Sequence, residues 1–493
     1  MGDQIGTLHL DTASVHMTGI KGTGMAALAE VLHHRGTSIT GSDVEERFYT
    51  DELLQRIGVT PLPGFSPDHI GPDVDFLVYS AAYDEDNPER REAQRRGLPQ
   101  FSYNEMLGAL SRGVTAVAVS GVHGKTSTTA ITGIMASRTD LPVTVVVGSA
   151  VTGFAGSDRL EKSATLIQGG EVLIAETCEY RRHFLYFHPS VLIVTSVEAD
   201  HLDYFRDVDD VSDAFVEFGR KLPNGGTLVY CADDAGARRV ARRLQAERTD
   251  LVLQPYGFNA DGVGAVTAYT VKPGEQSFRM AGLEERAGGC GAVTWTVGVP
   301  GRHMVVNAAG ALTALQALYP SLDGSLIEAW RSGLASFKGT SRRSEQVAEV
   351  DDVLILDDYA HHPTAIRTTL DGFRRFWPGR RIVVDFMSHT YTRTEALLDD
   401  FVTAFDQADV LFLNEIYSSA REHYSGGMTG ESFADAVGCH HRDVRFVPTF
   451  EKAAESVVRE LRTGDVFVTM GAGDNFRIGR RVAEMLALRG KNR

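Results

Sequence analysis

Short apolar runs alternate along this chain with stretches of helical spacing. "VHMTGI" at 15–20 is apolar and ends in a glycine turn, and "MAALAEVLHHRG" at 25–36 then repeats at the helical period and stops at Gly36. "SITGSD" and "FLVYSAA" predict further strands, and "SYNEMLGALSRG" predicts a closing helix. Strands separated by helices predict a parallel sheet. A second α/β stretch opens with "VTAVAVSG" at Val114 and continues through "EVLIAETCEY", "PSVLIVTSVEADHLDYF" and "GTLVYCADD", each an apolar run ending in polar residues. Residues 255–300 are rich in glycine and alternating apolar positions, which predicts a small antiparallel sheet, and "HMVVNAAGALTALQAL" predicts a helix. A third stretch begins near Ser336. Its strands "DVLILDDYAHHP", "RIVVDFMSH", "VLFLNEIY", "VRFVP" and "DVFVTMGAG" alternate with helical segments, again as a doubly wound sheet. No fixed-period repeat or low-complexity linker interrupts this order.

Composition narrows the function. A chain of 493 residues is too long for one core. It holds no apolar run of about 18 residues, so no transmembrane helix is expected. The first residues carry Asp and no Lys or Arg, which argues against a secretory signal. Gly6 stands where a myristoylation motif needs Ser or Thr. A net charge of −16 does not suit general nucleic-acid binding. The four cysteines are widely spaced, with no C-x-x-C, as in a reduced cytoplasm.

The candidate chemistry begins at "VAVSGVHGKTSTTA", 117–130. Strand, glycine turn and helix follow one another, as a phosphate-binding loop requires, with Lys125 as a point charge and a hydroxyl after it to reach a metal. The general signature G-x-x-x-x-G-K-[ST] wants glycine where this chain has Val119, so on the residues alone an ordinary strand-to-helix turn stays open. Gly19, Gly22 and Gly24 follow a strand with Asp43 about 20 residues on, a weak dinucleotide pattern because its spacing is G-x-x-G-x-G. Glu176 ends one apolar strand, and Asp200, His201 and Asp203 follow the next; a carboxylate and an imidazole there can hold metals that bridge phosphates. His303 and Asn307 are one helical turn apart. His361 and His362 raise a zinc reading, but consecutive residues point apart and no third ligand has zinc-like spacing.

"SGVHGKTSTTA" resembles the shortened loop G-[TV]-x-G-K-[TS]-[ST]-T of the Mur ligases, which form amide bonds at the expense of ATP. In that variant Gly121 and Gly124 frame the turn and Val119 is no defect. "GIKGTGMAALAEVL" resembles the UDP-sugar loop of the branch that adds L-alanine, with Lys21 in place of a glycine. "FKGTSRRSEQV", "LDDYAHHPTAI", "FMSHTYTRTEAL" and "VTMGAGDNF" extend the resemblance across nearly the whole chain. Met387 and Ser388 replace a usual Gln-Pro, and Thr390 stands where some members place an arginine. No lysine lies between His201 and Arg220, so the carbamoylated lysine of many Mur ligases is not expected.

The resemblance implies three α/β domains: a Rossmann-like UDP-sugar domain over 1–112, a P-loop-type ATPase domain over 113–335, and a doubly wound domain for the amino acid and ATP over 336–493. It implies UDP-sugar binding by Gly19, Gly22, Thr23, Gly24, Met25, Asp43 and Ser80. ATP falls to Gly121, His123, Gly124, Lys125, Thr126, Ser127, His303, Asn307, Arg343 and Asp357, and Mg²⁺ to Thr126, Glu176 and His201. The amino acid falls to Tyr359, His361, His389 and Arg393. Lys125, His201, Arg343 and His361 are the expected catalytic residues, with Arg342 as second choice to Arg343.

The implied reaction joins L-alanine to UDP-N-acetylmuramate with ATP and Mg²⁺, in a cytoplasmic monomer or homodimer without nucleic-acid or membrane partners. The branch that joins the same sugar to a preformed tripeptide has a similar "D-D-[FY]-A-H-H-P-T", but "SHTYTRT" favours the single amino acid. A binding protein that lost catalysis would not need Lys125, Glu176, His201, Asn307 and Arg343 together. An NAD-dependent oxidoreductase would leave the loop at 121–127 without a role.

Overall fold

Twenty-one strands carry the architecture in a computed structural model that describes residues 9–154, 162–201, 204–286, 293–319, 321–418, 422 and 426–491. Five of them, β1 (Ser14–Thr18), β2 (Ser38–Asp43), β3 (Leu62–Pro63), β4 (Phe76–Tyr79) and β5 (Gln100–Ser102), form a parallel sheet in the order β3-β2-β1-β4-β5. Helix Thr23–His34 follows β1 and buries Met25, Leu28, Val31 and Leu32. Helix Tyr103–Leu110 starts in a capping box between Ser102 and Glu105.

The second sheet has ten strands: β6 (Thr115–Ser120), β7 (Val143–Thr152), β8 (Lys162–Ile167), β9 (Val172–Glu176), β10 (Val191–Val194), β11 (Thr227–Cys231), β12 (Val252–Gly257), β13 (Gly264–Lys272), β14 (Glu275–Met280) and β15 (Trp295–Val297). Their order is β15-β14-β13-β12-β11-β10-β6-β9-β7-β8. The separate antiparallel sheet expected over 255–300 is therefore corrected. β12 pairs in parallel with β11 along its length and with β13 through Tyr256↔Gly264 and Gly257↔Ala265, so these strands extend the large sheet. Alternation of apolar residues reports one buried face and says nothing of which neighbour supplies the next ladder.

The third sheet runs β16 (Glu345–Val350), β17 (Val353–Asp358), β21 (Val466–Gly471), β18 (Ile382–Met387), β19 (Val410–Leu413), β20 (Val444–Phe446), parallel except for β16. Its central strands β17, β21, β18 and β19 are buried on both faces. Leu354 and Leu356 of β17 pack with Ile366, Leu370 and Phe373, whereas Val353 and Ile355 pack with Val457, Ile478 and Val482. A continuous apolar run is what a sheet covered by helices on both sides requires.

Two compact units result. One holds Met1–Ala268, Phe278–Trp295 and Val306–Phe337; the other holds Tyr269–Ser277, Thr296–Val305 and Lys338–Arg493. No helix among the described residues is long and apolar enough to cross a membrane.

Candidate active site

In the first unit the chain turns sharply where β6 ends. Gly121 has φ +140° and Gly124 φ +82°. A Cβ on Gly121 would lie 2.0 Å from Thr195 Oγ1, and one on Gly124 would lie 2.7 Å from Asn307 Oδ1, so both positions exclude a side chain. Val119 is a buried β6 residue paired with Glu176 of β9 and Ile193 of β10. The turn begins after it, and a glycine there has nothing to do. Helix Lys125–Ala136 starts at Gly124 with no side-chain cap, leaving its first N–H groups to an incoming acceptor.

Two polar pairs surround this helix start. Lys125 Nζ lies 2.9 Å and 3.1 Å from the two carboxylate oxygens of Glu179 and donates to the Gly121 carbonyl. Burial alone would lower the pKa of Lys125; the neighbouring acids, Glu179 first, reverse that and hold it above the ordinary lysine value. Thr126 Oγ1 donates to Glu176 Oε1 at 3.1 Å, and Glu176 Oε2 accepts from Gly148 N at 2.8 Å. His201, at φ +54°, places Nε2 3.7 Å from Glu179 Oε1 and its ring 4.7 Å from that of Tyr180. Hard oxygen donors on Thr126 and Glu176 fit Mg²⁺. His123 N donates to Ser196 Oγ at 2.8 Å, and Ser127 is buried in the helix's first turn. Asp203 lies outside the described residues. Glu179 was not singled out in the sequence. It stands three residues past Glu176 in "ETCEY", and its near-complete burial is visible only in the fold.

The same unit holds the turn after β1. Helix Thr23–His34 again starts at a glycine, Gly22, without a side-chain cap. Gly19 N and Ile20 N donate to Ser42 O at 2.9 and 3.1 Å, and Ser80 N donates to Thr18 O at 3.0 Å. Thr23 Oγ1 accepts from Tyr49 OH at 2.9 Å, Met25 is buried, and the Tyr103 ring covers Gly24. Asp43 is more committed than expected: Oδ2 accepts from Lys21 N at 2.7 Å, and Oδ1 from Val44 N at 2.8 Å and Tyr83 OH at 3.1 Å. Burial, followed by Asp43, pushes the Tyr83 hydroxyl up to about 12. Lys21 donates to the carbonyls of Val44 (2.9 Å) and Glu46 (3.0 Å) and lies 3.3 Å from Asp51 Oδ1.

In the second unit, Arg342 Nε lies 3.2 Å from Asp357 Oδ2 and its Nη2 donates to Gly471 O at 2.8 Å. Burial raises the Asp357 carboxyl to about 6, against the pull of Arg342 and a 2.7 Å hydrogen bond from Thr469. Arg343 lies 4.8 Å over the Tyr359 ring, and its guanidinium has no carboxylate partner among the described residues. From there a row of rings leads to the expected acceptor residues. Tyr359 and His361 are 5.1 Å apart, His361 and His389 6.3 Å, and Arg393 Nη1 lies 3.4 Å from His389 Nδ1. His389 stacks on Tyr417 at 5.7 Å, and its pKa is lowered by burial, with Arg393 adding to the effect. Tyr417 and Met387 also line a cavity of about 200 Å³ with residues that follow β19, β20 and β21, at the carboxyl ends of the parallel strands. His303 is half-buried, and its pKa is lowered, first by desolvation. It groups with this unit, whereas Asn307 on the same helix, Arg302–Leu318, groups with the other.

Family models match nearly the full length: "Mur ligase family, catalytic domain" over residues 14–115, "Mur ligase middle domain" over 119–315, and "Mur ligase, glutamate ligase domain" over 342–473. The chain belongs to the Mur ligase family, with its three-domain α/β architecture. Among its relatives, the UDP-N-acetylmuramate–L-alanine ligase of Treponema pallidum (strain Nichols) is 45% identical over 96% of this chain and 97% of its own. That of Desulfitobacterium hafniense (strain Y51) is 37% identical over 94% of this chain and 98% of its own. The solved UDP-N-acetylmuramate–alanine ligase of Thermotoga maritima shares the fold, with a TM-score of 0.76 at 23% identity, over 97% of this chain and 99% of the other.

Proposed function

We propose that this protein is an ATP-dependent amide ligase of peptidoglycan precursor synthesis that joins L-alanine to the lactyl carboxylate of UDP-N-acetylmuramate. The observation that carries the reading is the Lys125 turn, with its paired acids, in a chain so similar at full length to ligases of that name. The tripeptide-adding alternative is not favoured, because these full-length relatives carry the single-amino-acid name.

The sugar's carboxylate attacks the γ-phosphate of ATP, giving an acyl phosphate and ADP. The amine of L-alanine attacks the acyl carbon, loses a proton, and phosphate leaves with one of the original carboxylate oxygens. A carboxylate is a poor electrophile, so the enzyme must neutralise charge, align the reactants and exclude water. Lys125 and the N–H groups of the helix start hold the ATP phosphates, and we assign to the phosphoryl group in transfer Arg343, a planar cation with no carboxylate partner among the described residues. Thr126 and Glu176, with His201 nearby, would hold Mg²⁺, which would supply charge neutralisation at the phosphates. The Gly19–Gly24 turn takes the UDP diphosphate. Arg393 and His389 take the amino-acid carboxylate, with Tyr359 and His361 beside the amine. We assign residues 1–112 to the nucleotide sugar, 113–335 to ATP and 336–493 to the acceptor, and place the reaction in the cytoplasm.

The test is phosphate release with ATP and UDP-N-acetylmuramate over a panel of acceptors. Release that depends on both the sugar and L-alanine supports the reading. Release indifferent to the sugar removes it, and dependence on tripeptide alone transfers the chain to the recycling reaction.

A further inference from the structure

Glu89 has no part in the chemistry above, yet it is fully buried beneath the turn that follows β1. It sits in the first turn of helix Pro88–Arg95, where Asn87 Oδ1 accepts from its N–H at 3.0 Å. Its Oε2 accepts from Thr18 Oγ1 at 2.7 Å and from Ser42 Oγ at 2.6 Å. His69 Nδ1 lies 2.8 Å from Oε1, and His16 Nε2 lies 3.4 Å from Oε2. Thr18 and Ser42 are register partners at the ends of β1 and β2. The Ser42 carbonyl holds Gly19 N and Ile20 N, and the Thr18 carbonyl holds Ser80 N. One carboxylate thus ties together the strand ends from which the glycine turn and the Ser80 loop hang.

Stability alone does not explain such a group. Taking a carboxylate out of water costs several kcal/mol, and apolar residues of similar volume often replace buried charges without loss. What an apolar residue cannot do is fix two hydroxyls and two imidazoles at once. We infer that Glu89 is a positioning residue for nucleotide-sugar binding: it sets the aim of the N–H groups in the Gly19–Gly24 turn by clamping the ends of β1 and β2. The inference rests on the reading of that turn as the UDP-sugar site.

The experiment compares Glu89→Gln with wild type in the full chain, by calorimetric titration with UDP and by KM for each substrate. Asp75→Asn serves as a purely structural control. Asp75 Oδ2 accepts from Ser14 N at 2.8 Å, at the far end of β1. Glu89→Gln is expected to raise the Kd for UDP and the KM for UDP-N-acetylmuramate about tenfold, with kcat and the KM for ATP within about twofold. The control is expected to lower Tm without that split. Should Glu89→Gln not fold, Ser42→Ala, which removes one of the two clamped hydroxyls, must show the same split at about threefold. A UDP affinity unchanged in the variant, or KM values for all substrates rising together, overturns the inference. Wild-type protein that does not bind UDP overturns the reading of the turn itself.

Discussion

Lys125 and the buried Glu179 form a part-buried ion pair, Nζ to Oε2 2.9 Å, inside the turn assigned to ATP phosphates. The lysine is therefore held by a partner that an incoming polyanion must replace. Removing only the acid leaves a largely enclosed cation uncompensated, at a cost below the about 3–5 kcal/mol of a fully buried pair. A triphosphate would repay that cost on binding. Glu179→Gln is accordingly expected to lower Tm without ligand and to show a larger upward Tm shift on adding ATP than wild type does. Scanning fluorimetry with and without ATP measures both. Equal shifts would mean that the pair does not compete with nucleotide.

Lys125→Ala is expected to reduce ADP formation by at least about 10²–10³. UDP binding should stay near the wild-type value, because the turn after β1 does not use this lysine. Full activity in the variant would end the phosphate-loop assignment.

The adjacent arginines separate by role. Arg342 is tied to Asp357 and to the Gly471 carbonyl, whereas the Arg343 guanidinium overlies the Tyr359 ring and has no carboxylate partner among the described residues. Arg343→Ala should lower kcat by about 10³ and leave Tm nearly unchanged, in proportion to what a guanidinium contributes at a transferring phosphate. Arg342→Ala should instead cost about 1–3 kcal/mol of stability by leaving Asp357 without its cation. Denaturant melts beside turnover assays distinguish the two, and a reversed pattern would exchange the assignments.

Asp385 in β18 gives a pH dependence. Complete burial raises its carboxyl from the ordinary value of 3.8 to about 7, although Asn414 and Asn475 pull the other way. The folded chain keeps a proton there that the unfolded chain has released. Stability from this group is thus full below 3.8 and is lost as pH rises to about 7. Asp385→Asn offers an oxygen to Asn414 Nδ2, now 3.1 Å from Asp385 Oδ2, without the titration. Its Tm relative to wild type should rise between about pH 4 and about pH 7 and level off above that. A difference independent of pH would show that Asp385 is ionised in the fold.

Much of this was legible in the chain. Apolar runs gave the parallel strands, because a strand covered on both faces needs an unbroken run such as "VLIL" in β17. Gly121, Gly124 and Lys125 were readable because a tight turn onto a helix restricts which residues fit. The small sheet over 255–300 was misread, since a strand's own sequence does not name its partner. Glu179 and Glu89 escaped for a related reason: an acid is taken for a solvated residue until the fold shows it enclosed. Asp43 was found but its environment was not. Its hydrogen bonds come from Lys21 N, the adjacent Val44 N–H and Tyr83, and spacing alone shows none of them.

If the first turn is the diphosphate seat proposed above, Lys21 bears on how that seat attracts its anion. Its ammonium is spent on the carbonyls of Val44 and Glu46 and on Asp51, so it ties down the segment beyond β2. The pull on a diphosphate there would then come from aligned peptide dipoles, which are fixed in place and carry no counter-ions to shed. Exchanging this lysine for glycine would loosen a neighbouring strap of backbone and strip no positive charge from the anion's seat.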